Sequence, residues 1–209
     1  NLRQSPFDAR WKNAKAQFGQ VYGWERPLYF GSDGDPALTF GKPPWFDQVG
    51  REVAQAHHHA ALFDQSTFGK IRVEGAEAER FLNRVCANDM TRAPGRAIYT
   101  AMLNDRGGFE SDLTALRLSD EAYRLYVGTA AIKRDLVWLR NHLEAKERVR
   151  LFDETEDHAV LALMGPAASS IVRAVGADWI AALGYFGHAE DAIAGVPVRA
   201  VRLSYVGGA

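Results

Sequence analysis

The chain has 209 residues, 47% hydrophobic and 24% charged, with Lys+Arg 25 against Asp+Glu 26 and a net charge of -1, which is length and apolar content enough for a buried core. Balanced charge argues against a nucleic-acid partner, and a single cysteine excludes an internal disulfide or a Cys-rich metal site. The longest strictly apolar run, Ala159 to Met164, is far short of a membrane span, so the expectation is a domain of a reducing compartment, cytoplasmic or in a eukaryote the mitochondrial matrix, with no membrane partner.

Residues 1–50 form an aromatic-rich segment, with Trp11, Phe18, Tyr22, Trp24, Tyr29, Phe30, Phe40, Trp45 and Phe46 broken by Gly- and Pro-containing turns. They read as a packing arm, since the aromatics lack the fixed period of a ligand platform. Val49, Val53, Ala56 and Ala60 recur at spacings of three and four and predict a helix over about 46–61. Leu62-Phe63 and residues 70–73 read as strand pieces around a Gln65-Ser66-Thr67 turn. Gly75 then opens a helix whose apolar face is Ala78, Phe81, Leu82, Val85 and Cys86.

Residues 88–96 are a loop by composition. Strands over 97–103, 109–118 and 122–127, separated by Asn104-Asp105-Arg106-Gly107-Gly108 and Ser119-Asp120-Glu121, predict an antiparallel meander. A helix over about 131–146 follows, with Ile132, Leu136, Leu139 and Leu143 on one face. Residues 51–147 are thus expected to form a subdomain carrying the Asn88-Asp89 loop and the meander, and 148–209 a second α+β portion. In the latter, 158–164 reads as a fully buried strand, Gly165-Pro166 starts a helix over about 167–175, and 177–183 is weakly helical. A last strand is expected over 196–206. Strands and helices mix without a βαβ rhythm, so the fold class is α+β.

Chemistry is sparse. No Gly-x-Gly-x-x-Gly fingerprint and no phosphate-cradling Gly-x4-Gly-Lys-Ser/Thr occurs, so any flavin or nicotinamide reaction belongs to another segment. His57, His58 and His59 point about 100° apart on a helix and do not share a tetrahedral metal site; no metal is expected. Cys86 reads as a buried small hydrophobe. Asp89 lies in a loop just past a helix and faces the strand carrying Tyr99; by composition it is a turn aspartate. Glu110-Ser111-Asp112 places two acids at the entry of an apolar strand, where turn capping accounts for them.

Taken in order, His59-Ala60-Ala61-Leu62-Phe63-Asp64-Gln65-Ser66, Cys86-Ala87-Asn88-Asp89-Met90, Pro94-Gly95-Arg96, Tyr99-Thr100-Ala101-Met102-Leu103-Asn104, Gly107-Gly108-Phe109-Glu110-Ser111-Asp112-Leu113-Thr114, Leu163-Met164-Gly165-Pro166 and Ser204-Tyr205-Val206-Gly207 resemble the aminomethyltransferase (glycine cleavage T-protein) family. The stretch from Ser5-Pro6-Phe7-Asp8 through Gly23-Trp24-Glu25-Arg26-Pro27 to Pro44-Trp45-Phe46 narrows the likeness to the folate-binding C-terminal region of sarcosine and dimethylglycine dehydrogenases. The resemblance implies a T-protein-like fold of three subdomains around a tetrahydrofolate cavity. It implies that Asp89 is the catalytic acid/base residue, that Tyr205 contacts the pterin, and that Tyr99 is a weaker cavity-wall candidate. The implied reaction is aminomethyl or methylene transfer from a methylated-amine-derived donor to folate.

The family pattern continues from Tyr-x-Gly into Glu-x-Gly-x-Glu, whereas this sequence reads Tyr205-Val206-Gly207-Gly208-Ala209. The expectation is therefore a truncated piece that lacks the third subdomain, starts at Asn1 rather than Met, and is prone to self-association through an exposed seam. FAD is implied only if a separate oxidase domain precedes this segment. Two alternatives are a folate-binding relative without catalysis and a scaffold module. An iron–sulfur-assembly relative would carry Cys before the tyrosine, where Ser204 stands here.

Overall fold

The computed structural model describes residues 2–31 and 39–204. In chain order the first elements are α1 (Asp8–Asn13), β1 (Ala16–Val21), β2 (Trp24–Phe30), α2 (Phe46–His58) and β3 (Ala61–Asp64). Then come β4 (Gly69–Glu74), α3 (Ala78–Val85), β5 (Ala97–Leu103), β6 (Phe109–Ser119), β7 (Ala122–Val127), α4 (Ile132–Asn141) and β8 (Arg150–Asp153). The last are β9 (Leu161–Met164), α5 (Ala168–Ala174), α6 (Asp178–Ala181), β10 (His188–Ile193) and β11 (Val196–Val201). The named ladders are antiparallel, and the fold is α+β.

The residues divide into two compact units. One holds the chain up to Thr67 together with Ala159–Ser170; the other holds Phe68–His158 and the described residues from Ile171 onward.

In the first unit the aromatic-rich N-terminal segment carries a hairpin that was not expected from sequence. β1 and β2 form a hairpin in which Val21 faces Trp24 across a two-residue loop. Tyr22 and Gly23 take φ of 50° and 81°, the doubly left-handed turn that suits the strand twist. The aromatics pack on one another: Trp11 against Phe7 and Phe30 at 6.1 and 6.2 Å, and Tyr29 stacked on Trp45 at 5.9 Å. Asp64, at the end of β3, ties this layer down. It accepts hydrogen bonds from the Ser5 hydroxyl, from Trp11 Nε1 at 2.8 Å and from the Ser66 amide at 3.0 Å. α2 stops at His58, short of the predicted end at about 61, where Ala61 already opens β3; none of its residues is buried and Val53 is half exposed. β9 is also corrected. It is only four residues long, pairs among the described residues with β3 alone, and leaves Leu161 and Met164 exposed rather than buried.

The second unit is built on the sheet β5-β6-β7-β4-β8, whose first three strands are the expected meander. On one face Ile71, Val73, Leu113, Ala115, Leu125 and Val127 alternate inward against Phe81 and Leu82 of α3 and Ile132, Leu136 and Leu139 of α4. The other face mixes apolar residues such as Leu116 with charged ones. Lys70 is fully buried there and donates from Nζ to the His158 carbonyl at 2.9 Å. Glu154 accepts from Arg124 at 2.8 Å and pairs with Arg72 at 2.9 Å, as buried charge requires. β8, β10 and the hairpin β10–β11 were not expected from sequence.

Gly75 joins β4 to α3 at φ 139°, and a Cβ there would sit 1.9 Å from the Arg148 carbonyl oxygen. Gly165 plays the same part between β9 and α5, at φ 113° and 2.6 Å from the His59 carbonyl oxygen. Gly75→Ala is expected to cost at least about 1–3 kcal/mol, the scale of a side chain forced into such a conformation. Gly107→Ala, at φ 73° with open space around it, is expected to cost about 1–2 kcal/mol. Urea unfolding midpoints rank the two, and a Gly75 variant as stable as the wild type contradicts this account.

Burial pushes the Asp64 carboxyl up, but its hydrogen bonds from Ser5, Trp11 and Ser66 outweigh that and hold it below the usual carboxylate range. A depressed folded pKa means that its stabilisation is present above about pH 4 and is lost as the pH falls through the folded value. Asp64→Asn is expected to lower Tm at pH 6, with the gap to wild type closing in strong acid. A gap that stays constant with pH rules this out.

Candidate functional site

The site is assembled on the outer edge of β5. α3 ends at Val85, and the chain turns back along that edge. Cys86 bridges Met102, and the Ala87 amide donates to the Ala101 carbonyl at 2.9 Å. Asn88 continues the seam. Its amide donates to Thr100 Oγ1 at 3.0 Å and its side-chain Nδ2 to the Tyr99 carbonyl at 2.9 Å. Asp89 and the backbone of Tyr99 are thereby brought to one edge of the sheet.

Asp89 opens a tight turn. Its Oδ1 accepts from the Thr91 amide at 2.9 Å and from the Thr91 hydroxyl, and its own amide donates to Asn88 Oδ1 at 2.8 Å. Oδ2 faces Arg92 Nε at 3.9 Å, and about half of the side chain is exposed. The hydrogen bonds from the Thr91 side chain and backbone, with the Arg92 charge, hold the Asp89 carboxyl below the usual range. It is therefore an anion at neutral pH, presented to solvent by a turn whose geometry does not depend on the carboxylate's second oxygen.

Tyr99 projects from β5 half exposed and donates its hydroxyl to Asp112 Oδ2 at 3.0 Å. The Glu110-Ser111-Asp112 run thus separates three ways. Glu110 accepts from Asn104 Nδ2 at 2.9 Å, Ser111 donates inward to buried Asp135 at 2.6 Å, and Asp112 turns out to Tyr99. Tyr205 lies outside the described residues.

Sequence reasoning missed Thr91, Arg92 and Thr100 as the residues that set the carboxylate. The usable signal was Asp-x-Thr, in which an aspartate side chain caps the amide two residues on. It also missed Asp112 as the partner of Tyr99. His57 and His58 stand exposed in the last turn of α2. Among the described residues no group of three or more His, Cys, Asp or Glu is placed to hold a metal ion, and no helix is long and apolar enough to cross a membrane.

Cys86 adjoins the site but is no reagent in it. Burial drives its thiol up to about 12, so the nucleophilic thiolate is all but absent at neutral pH. With DTNB the native chain is expected to leave this single thiol unlabelled over hours and to release one equivalent on unfolding. Rapid native labelling contradicts that placement.

The GCVT N-terminal domain family matches residues 7–209. The chain is 31% identical to the mitochondrial sarcosine dehydrogenase of Homo sapiens, covering 99% of this chain and 27% of that protein. It is 26% identical to the aminomethyltransferase of Thermotoga petrophila, covering 99% of this chain and 52% of that one. Among solved structures, the glycine cleavage system aminomethyltransferase T of Bartonella henselae superposes with a TM-score of 0.78 at 25% identity, over 100% of this chain and 52% of its own. The chain thus spans about half the length of these aminomethyltransferases and about a quarter of the dehydrogenase. With its antiparallel α+β architecture and the family profile running along nearly its whole length, the chain belongs to the GCVT N-terminal domain family.

Proposed function

We propose that this chain is the one-carbon-transfer segment of an aminomethyltransferase- or sarcosine dehydrogenase-like protein, passing an aminomethyl or methylene unit from a methylated-amine-derived donor to tetrahydrofolate. The observation that carries the reading is Asp89. It is an ionised, solvent-facing carboxylate fixed in a turn on a strand edge, where geometry rather than side-chain search sets its position.

A transferable one-carbon unit is cationic as an iminium, and the amine that attacks it sheds a proton. A fixed carboxylate serves both needs, stabilising positive charge and accepting the proton. Asp89 has one oxygen spent on the Thr91 turn, so Oδ2 is the atom we assign to this work. The hydrogen bonds from Thr91, with a smaller contribution from the Arg92 guanidinium at 3.9 Å, hold the Asp89 carboxyl below the usual carboxylate range.

Tetrahydrofolate, when bound, supplies the nucleophilic nitrogens that take up the one-carbon unit. The residues present fit such a group. Asp89 offers an acceptor to ring nitrogens that carry protons, and the half-exposed Tyr99 ring offers a flat apolar wall. We assign Tyr99 to the cavity wall, oriented by Asp112, and Tyr205 to the pterin. The oxidation that makes the donor is assigned to a separate flavin-bearing segment or subunit, for which the relatives' dehydrogenase name is the support. We place the protein in the cytoplasm, or in a eukaryote the mitochondrial matrix.

Asp89→Asn preserves shape and removes the proton acceptor. Tetrahydrofolate binding is expected to stay within a few-fold by calorimetry, while single-turnover methylene transfer by the full-length protein falls by about 10²-fold or more. Transfer at the wild-type rate in this variant overturns the assignment.

A further inference from the structure

We propose that Arg117 and Tyr123, two core-facing residues of β6 and β7, form a clamp that positions the Asp89 turn. The proposal rests on the reading of Asp89 as the acid/base group. Arg117 is nearly buried, and each part of it meets a partner. Its Nη1 donates to the Arg92 carbonyl at 2.8 Å and pairs with Glu79 of α3 at 2.6 Å. Nε and Nη2 reach the Ser119 and Asp120 carbonyls of the β6–β7 turn, both at 3.4 Å. Beneath the guanidinium, at 5.5 Å, lies the ring of Tyr123, whose hydroxyl donates to the Met90 carbonyl at 2.8 Å.

The two carbonyls held in this way, Met90 and Arg92, flank Thr91, and Thr91 is the residue that fixes the Asp89 carboxylate. The Asp89 turn is therefore gripped on both sides of its hydrogen-bond donor. Asn83 Oδ1 adds a third grip by accepting from the Met90 amide at 2.8 Å.

The Arg117 backbone secures the far end of the same loop. Its amide donates to the Arg96 carbonyl at 3.0 Å, and its carbonyl accepts from the Gly95 amide at 2.9 Å. The same carbonyl accepts from His188 Nε2 at 2.9 Å, while His188 Nδ1 lies 3.2 Å from Arg199 Nη1. That pair of contacts assigns the ring proton to Nε2, since a backbone oxygen only accepts and a guanidinium only donates. A buried arginine that only stabilised the sheet would need the β6–β7 turn and Glu79. It would have no call on the Arg92 carbonyl.

Two variants test the clamp. Tyr123→Phe removes one hydroxyl and little volume, and Arg117→Lys keeps the charge opposite Glu79 but loses the planar fork. In both, amide exchange at Thr91 is expected to rise by about tenfold, equivalent to about 1.4 kcal/mol, while the Gly108 amide in the β5–β6 turn stays at its wild-type rate. The Asp89 carboxyl, followed by carbon-13 NMR, is expected to titrate at higher pH than in the wild type as its Thr91 hydrogen bonds loosen. Folded variants with wild-type Thr91 exchange and an unmoved Asp89 titration overturn the proposal. So does an equal rise at Gly108, which would make the effect one of general stability. The readouts are independent of turnover. Failure of Asp89→Asn to slow transfer would therefore overturn the acid/base reading and leave the clamp to be judged by exchange and titration.

Discussion

The outer edge of β5 carries backbone donors and acceptors that the five-stranded sheet leaves unmatched, and an open edge of this kind invites pairing with foreign strands. The chain matches them with two of its own segments. Cys86, Ala87 and Asn88 cover the stretch around Tyr99 to Met102. At the other end Arg96 bridges Gly187, and the Ala97 amide donates to the Phe186 carbonyl at 2.8 Å. Between these two sutures the chain has to bulge away from the strand, and the bulge contains Asp89. The position of the carboxylate is thus a by-product of closing a sheet edge.

Carboxylates in this unit fall into two kinds according to what surrounds them. Asp135 is buried and accounted for by Ser111 at 2.6 Å and Arg134 at 3.0 Å. Glu154 is buried and shared between Arg72 and Arg124. Both are balanced within the fold, as buried charge must be. Asp89 differs, because its hydrogen bonds come mainly from its own turn and one oxygen is left facing solvent and Arg92. A carboxylate prepared to meet a transient positive charge needs this combination of fixed position and an uncommitted oxygen. Lys70 and Tyr123 show the opposite choice: both are fully buried and both spend their polar atoms on backbone carbonyls.

How much of this was legible follows from which signals are local. The face Ala78-Phe81-Leu82-Val85 and the meander from Ala97 to Val127 were readable because periodicity and turn residues agree there. The two other hairpins were not. Their loops are Tyr22-Gly23 and Ala194-Gly195, and only Gly at the second place hints at a turn that requires left-handed backbone at both. β9 looked wholly apolar and was read as buried. Whether such a strand is covered depends on neighbours far away in sequence, and among the described residues its strand partner is β3 alone. At the site, the Asn88-Asp89 loop could be picked out, whereas its dependence on Arg117 and Tyr123 could not. Those residues lie more than twenty positions downstream and read simply as strand residues.

Tyr22 and Ala194 both hold φ of 50°, a conformation that costs an ordinary L-residue about 1–2 kcal/mol. Each is the first residue of a two-residue hairpin loop, a place where asparagine or glycine sits without that strain. The chain therefore carries a stability reserve at two exposed loops. Relieving that strain by asparagine or glycine at these two positions adds robustness to the hairpins themselves, leaving the hydrogen bonds of the Asp89 turn as they are.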